Sequence, residues 1–166
     1  MIENVTVRRA LEFAMTTERQ GAAFYGRLAE KHADAPELAE LFQVLAHDEE
    51  IHELQFKSML KGLPEEERGE LSADEQEYLR ALASAEIFYG NNDALDPADR
   101  VITRKDALHR ALDLEKATLL YYGAMRDVLG PSEILDAVIK AEKTHLVQVM
   151  KVLFTGGELR GLLEDT

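Results

Sequence analysis

Two short units constrain this chain more than anything else in it: Glu49-Glu50-Ile51-His52 and Glu142-Lys143-Thr144-His145, each a Glu-x-x-His inside a long helical pattern. On a helix, residues three apart lie on one face about one turn apart, so each unit can present a carboxylate and an imidazole to the same point. One such unit is weak. Here each is preceded by another helical stretch whose apolar stripe holds a lone Glu, Glu18 before the first unit and Glu115 before the second. A buried charge without a partner is costly, so any fold of this chain must bring those inward carboxylates to something that compensates them.

The apolar stripes place four long helices. The first is expected over about 4–31, capped by Asn4, with Leu11, Ala14, Met15, Ala22, Tyr25, Leu28 and Ala29 on its buried face. Glu18 lies inside that stripe, seven residues from both Leu11 and Tyr25. The second spans about 35–60, where Asp34 with Glu37 reads as a capping box and Pro36 suits a first turn. Its face is Leu38, Leu41, Leu45, Glu49, His52, Phe56 and Met59. The third spans about 104–129 with Leu108, Ala111, Leu112, Glu115, Tyr122, Met125 and Leu129, and stops before Gly130-Pro131. Ser132 caps the fourth, about 133–154, which carries Leu135, Val138, Glu142, His145, Val149 and Val152. Between the second and third, residues 62–103 hold an acidic loop, a short helix over about 73–85 opened by a Ser72/Glu75 capping box, and turn signals at Gly90-Asn91 and Asp96-Pro97. A connection of that length can run the whole length of a bundle, and it is read as a crossover within a single domain over 1–166. The tail, 155–166, has no decisive pattern.

Composition narrows the function classes. With 19 Lys+Arg against 32 Asp+Glu the formal charge is −13, which disfavours a nucleic-acid partner because phosphate binding needs clustered positive charge. The chain has no cysteine, which excludes disulfides, thiolate nucleophiles and Cys-ligated metal within it. The N-terminal residues lack the apolar run of a signal peptide, and no stretch is long and apolar enough to span a membrane, so the cytoplasm is the expected location. His32, His47 and His109 have no Glu three residues before them and are read as surface or helix-end residues.

The halves repeat. Leu11, Glu18 and Tyr25 recur as Leu108, Glu115 and Tyr122 at an offset of 97, and the two Glu-x-x-His units are 93 apart. A pseudo-two-fold bundle would bring Glu18, Glu49, His52, Glu115, Glu142 and His145 to one central site. That is the ligand pattern of ferritin-like bundles with two iron or manganese ions. Over roughly residues 7 to 154 the chain resembles the rubrerythrin branch of that superfamily, in particular members without a rubredoxin domain; the 62–103 segment is the least typical part.

The resemblance implies an all-α, ferritin-like four-helix bundle with a long crossover between its second and third long helices. It also implies two iron ions, with manganese or zinc as possible occupants. Glu49 and Glu142 would bridge them, and Glu18, Glu115, His52 and His145 would be terminal ligands. Reduced iron there would pass two electrons to O2 or hydrogen peroxide, re-supplied by an external electron donor. Tyr25 and Tyr122 are candidates to hydrogen-bond the ligand carboxylates or to relay single electrons, with plain core packing as the competing reading. Asp48 is a candidate to orient a ligand histidine from behind; its counterpart is Ala141, and a plain surface charge is the alternative. Rubrerythrins proper carry a further carboxylate one turn after the position of Glu115, where this chain has Thr118, so the six-ligand set is closer to a ferroxidase-type centre. The competing functions are an iron-binding or storage protein without turnover and a metal-stabilised helical scaffold. A homodimer is expected, with Tyr78, Leu79, Leu82 and Ile87-Phe88-Tyr89 as candidate dimer-surface residues, or else core contacts of the chain.

Overall fold

Five helices form where the stripes run: α1 (Val7–Lys31), α2 (Pro36–Gly62), α3 (Ala73–Leu82), α4 (Arg104–Leu129) and α5 (Glu133–Thr155). The computed structural model describes residues 5–63, 71–84 and 103–155, and among the described residues there is no β-strand. No helix among them is long and apolar enough to cross a membrane.

The helix ends show which local chemistry prevails. α1 is capped by Thr6, whose hydroxyl accepts from Arg9 N at 3.2 Å. The expected cap, Asn4, lies outside the described residues. The Asp34/Glu37 capping box does not form: the cap of α2 is Ala35, with no side-chain bond. Asp34 instead accepts from Arg104 at 2.7 Å, an ion pair between the α1–α2 turn and the start of α4. Pro36 at the first turn has no N–H to satisfy, so α2 needs that cap less. The Ser72/Glu75 box does form, Glu75 accepting from Ser72 N at 2.8 Å. Ser132 Oγ accepts from Leu135 N at 3.3 Å at the head of α5. Thr103 and Asp106 make a further capping box at α4.

The direction of each helix follows from two separate apolar clusters. One gathers Phe24, Tyr25 and Leu28 of α1, Phe42 and Leu45 of α2, Ala111 and Leu114 of α4, and Val149 and Leu153 of α5. The other gathers Leu11 and Ala14 of α1, Phe56 of α2, Tyr122 and Met125 of α4, Leu135 and Val138 of α5, and Leu79 of α3. α1 and α5 therefore run from the second cluster to the first, while α2 and α4 run from the first to the second. α1–α2 and α4–α5 are antiparallel pairs joined by short turns, as their close packing requires. Because α2 and α4 point the same way, the chain must return along the bundle between them. α3 packs on α4 within that return, and Gln76 Oε1 accepts from Val5 N at 3.2 Å. The rest of the return, with Ile87, Phe88 and Tyr89, lies outside the described residues, as does the tail from residue 156.

Between the two clusters each long helix places its polar residues: Glu18, then Glu49 and His52, then Glu115, then Glu142 and His145, all buried. His47 and His109 are exposed. His32 caps α1 as a helix-end residue but is not on the surface; it is buried, with its ring centroid 6.4 Å from that of Phe42. Of the residues expected at a dimer surface, Leu79 is core and Tyr78 is exposed.

Candidate metal centre

The six carboxylate and imidazole groups converge in the middle of the bundle. Ligand atoms of Glu18, Glu49, His52 and Glu142 lie within 4.8 Å of one another, and so do those of Glu49, Glu115, Glu142 and His145. Glu49 and Glu142 belong to both groups. The arrangement is thus two adjacent four-donor clusters sharing two carboxylates. His52 Nδ1 approaches Glu142 Oε1 at 2.9 Å, Glu49 Oε2 at 3.2 Å and Glu18 Oε2 at 3.5 Å. His145 Nδ1 lies 3.5 Å from Glu115 Oε2 and 3.9 Å from Glu142 Oε2. The two imidazole centroids are 5.5 Å apart.

A second layer of polar groups fixes the outward atoms. The Tyr122 hydroxyl donates to Glu18 Oε1, and the Tyr25 hydroxyl donates to Glu115 Oε1 at 2.5 Å. The pairs are crossed. Seven residues along a helix span about 10.5 Å, so neither tyrosine can reach the Glu of its own helix. The antiparallel run of α1 and α4 sets each opposite the Glu of the other. Asp48 reaches from α2 to α5, where its carboxylate meets His145 Nε2 at 3.0 Å. That bond puts a proton on Nε2 and turns Nδ1 toward the carboxylates. Thr118, noticed in the sequence only as a departure from a family pattern, is buried, and its hydroxyl lies 3.0 Å from Glu142 Oε2. The sequence held a signal for it: a Thr three residues after Glu115 shares the inward face of α4. Gly21, its counterpart on α1, faces Glu49; a Cβ there would sit 3.6 Å from Glu49 Cγ.

In this cluster Glu49, Glu142, His52, His145 and the two tyrosines hold their protons more tightly than usual. Burial, with Glu18 and Glu142 alongside, raises Glu49 well above the usual carboxylate range. Burial and the Glu115 charge lift Glu142 to about 8. Burial acts to lower the histidines, but the surrounding carboxylates prevail: Glu142 and Glu18 carry His52 up to about 10, and Glu115 carries His145 up to about 9. Burial first, and the neighbouring carboxylates next, push Tyr25 and Tyr122 up, so both stay protonated donors.

Four inward atoms, Glu18 Oε2, Glu115 Oε2, Glu142 Oε1 and His145 Nδ1, are buried without an aligned hydrogen bond among the described residues. Native interiors rarely leave such atoms orphaned. A cation is the group that fits them: four carboxylates match the charge of two divalent ions, and oxygen donors mixed with imidazole suit iron or manganese.

No curated protein and no solved structure matches the chain. The rubrerythrin family model matches it over residues 9–153, which reaches all four long helices and includes all six converging side chains. Bundle, site and match agree, and the chain belongs to the rubrerythrin family.

Proposed function

We propose that the chain binds two iron ions in this centre and acts as an oxidoreductase that reduces hydrogen peroxide or O2, as a peroxidase or a ferroxidase. The observation that supports this reading is the overlap of the two donor clusters at Glu49 and Glu142, which suits a pair of cations sharing carboxylates rather than one cation. Two ferrous ions would supply the two electrons that, with two protons, take one peroxide to water. Glu18 with His52, and Glu115 with His145, would each hold one ion, with Glu49 and Glu142 between them. Tyr122 and Tyr25 occupy the outward oxygens of Glu18 and Glu115, so the inward oxygens stay free and aimed at the centre. The apolar clusters above and below keep bulk water away from it. An electron donor outside these 166 residues would re-reduce the centre.

The test is anaerobic loading with Fe(II) followed by stopped-flow mixing with O2 and, separately, with peroxide. About two irons per chain are expected, and Glu49→Ala combined with Glu142→Ala should abolish that loading. One iron per chain, or unchanged loading in the double variant, would sink the dinuclear reading. The faster oxidant separates peroxidase from ferroxidase. Loading that continues far past two irons per chain would favour storage instead.

A further inference from the structure

The repeat makes the two halves of the centre comparable position by position, and they differ at two places behind the ligands. One turn after the lone Glu, α4 has Thr118 and α1 has Gly21. Thr118 places its hydroxyl 3.0 Å from Glu142 Oε2, whereas Gly21 has no side chain to place on Glu49. One residue before each Glu-x-x-His unit, α2 has Asp48 and α5 has Ala141. Asp48 holds His145 Nε2 at 3.0 Å, whereas Ala141 has nothing to offer His52. Both contacts fall on the same cluster, because Glu142 Oε2 is the oxygen that faces His145 Nδ1. The tyrosine bonds do not break the symmetry, since each half has one.

The consequence concerns metal affinity. A carboxylate behind a ligand imidazole fixes its tautomer and ring orientation and raises its basicity, and loss of such a partner weakens metal binding roughly ten- to hundred-fold. Ligands already held in place lose less freedom on binding. Glu115, His145 and the Oε2 edge of Glu142 form a preset cluster. In the cluster of Glu18, His52 and Glu49, no carboxylate stands behind the histidine and no hydroxyl meets the shared carboxylate among the described residues. We propose that the two metal positions are inequivalent and fill in order, the Glu115/His145 position before the Glu18/His52 position, with Asp48 and Thr118 as the positioning residues. This rests on the dinuclear reading and adds to it which position is the tight one.

The test is a Zn(II) titration of the metal-free full-length chain, followed by ¹⁵N NMR of labelled histidine rings and by calorimetry. Zinc is diamagnetic, so each ring reports its own occupancy without any activity. The first equivalent is expected to move His145 and the second His52, with two calorimetric steps. Asp48→Asn should weaken the first step roughly ten-fold or more while His52 still responds, and Thr118→Val should weaken the same step without changing side-chain shape. Ala141→Asp, which offers His52 the missing carboxylate, should narrow the gap between the steps. Simultaneous movement of both rings, or His52 moving first, overturns the proposed order while leaving two ions per chain. Saturation at one ion per chain overturns the dinuclear reading itself, and the order with it.

Discussion

Tyr25 and Tyr122 are the residues whose packing and chemistry are hardest to separate, because each is fully buried in an apolar cluster and each ends on a carboxylate of the other half. Their hydroxyls are buried donors matched to buried acceptors. Replacing either tyrosine with phenylalanine keeps the ring contacts, such as Phe56 against Tyr122 at 4.9 Å, and removes only the donor. The carboxylate oxygen left behind is then buried without a partner. Hydrogen bonds to charged groups are worth about 1.5–3 kcal/mol, so Tyr25→Phe and Tyr122→Phe should each lower the unfolding free energy of the metal-free protein by about that amount in urea titrations. A loss under about 0.5 kcal/mol, within the usual range of an uninvolved surface change, would mean that the hydroxyls do not hold the carboxylates. The sequence pointed to these tyrosines by their spacing from Glu18 and Glu115 but could not assign partners. The crossed pairing depends on α1 and α4 running antiparallel, which no local pattern encodes.

Within the elements, α1 shows how the site limits its helices. Gly21 sits in the middle of a long helix, where glycine costs about 0.5–1 kcal/mol relative to alanine. A Cβ at this position would meet Glu49 Cγ at 3.6 Å and Cδ at 3.7 Å, ordinary van der Waals contacts. Gly21→Ala should therefore raise stability by about 0.5–1 kcal/mol and leave metal stoichiometry unchanged, whereas Gly21→Leu should push Glu49 aside and lower it; thermal melts and metal analysis check both. The stripes that located these helices were legible because the apolar period is set by burial alone, and the buried Glu and His residues declared themselves by interrupting it. The helix ends were less legible. Asp34 has the sequence of a cap, but Arg104, seventy residues away, takes its carboxylate. Thr118 was visible as an anomaly, yet its contact with Glu142 needs α4 and α5 side by side. Asp48 was a candidate from sequence because it adjoins a Glu-x-x-His unit; only the packing of α2 on α5 selects His145 as its partner.

At the scale of the whole molecule, the metal-free bundle is a structure that holds protons where the loaded one would hold cations. The shifts share one direction: Glu142 from 4.5 to about 8, His145 from 6.5 to about 9, His52 from 6.5 to about 10, with Glu49 also raised. Each group binds its proton more tightly folded than unfolded. The stability contributed by such a group is fully present below its unfolded pKa and is lost as pH rises through its folded pKa. For Glu142 that window runs from 4.5 to about 8, and for the two histidines from 6.5 to about 9 and about 10. The metal-free protein should therefore lose melting temperature steadily between about pH 6 and pH 9. Metal ligands must be deprotonated to bind, so the same rise in pH removes the competitor and strengthens binding. Tighter binding to the folded state adds stability by mass action. The net charge of −13 is common to both forms apart from the centre, so its self-repulsion largely cancels in the difference between them. The difference in melting temperature between metal-loaded and metal-free protein should consequently widen from about pH 6 to pH 9. Calorimetric scans across that range, with metal in fixed excess, read it directly, and a constant or shrinking difference would show that the centre is not where the protons are held.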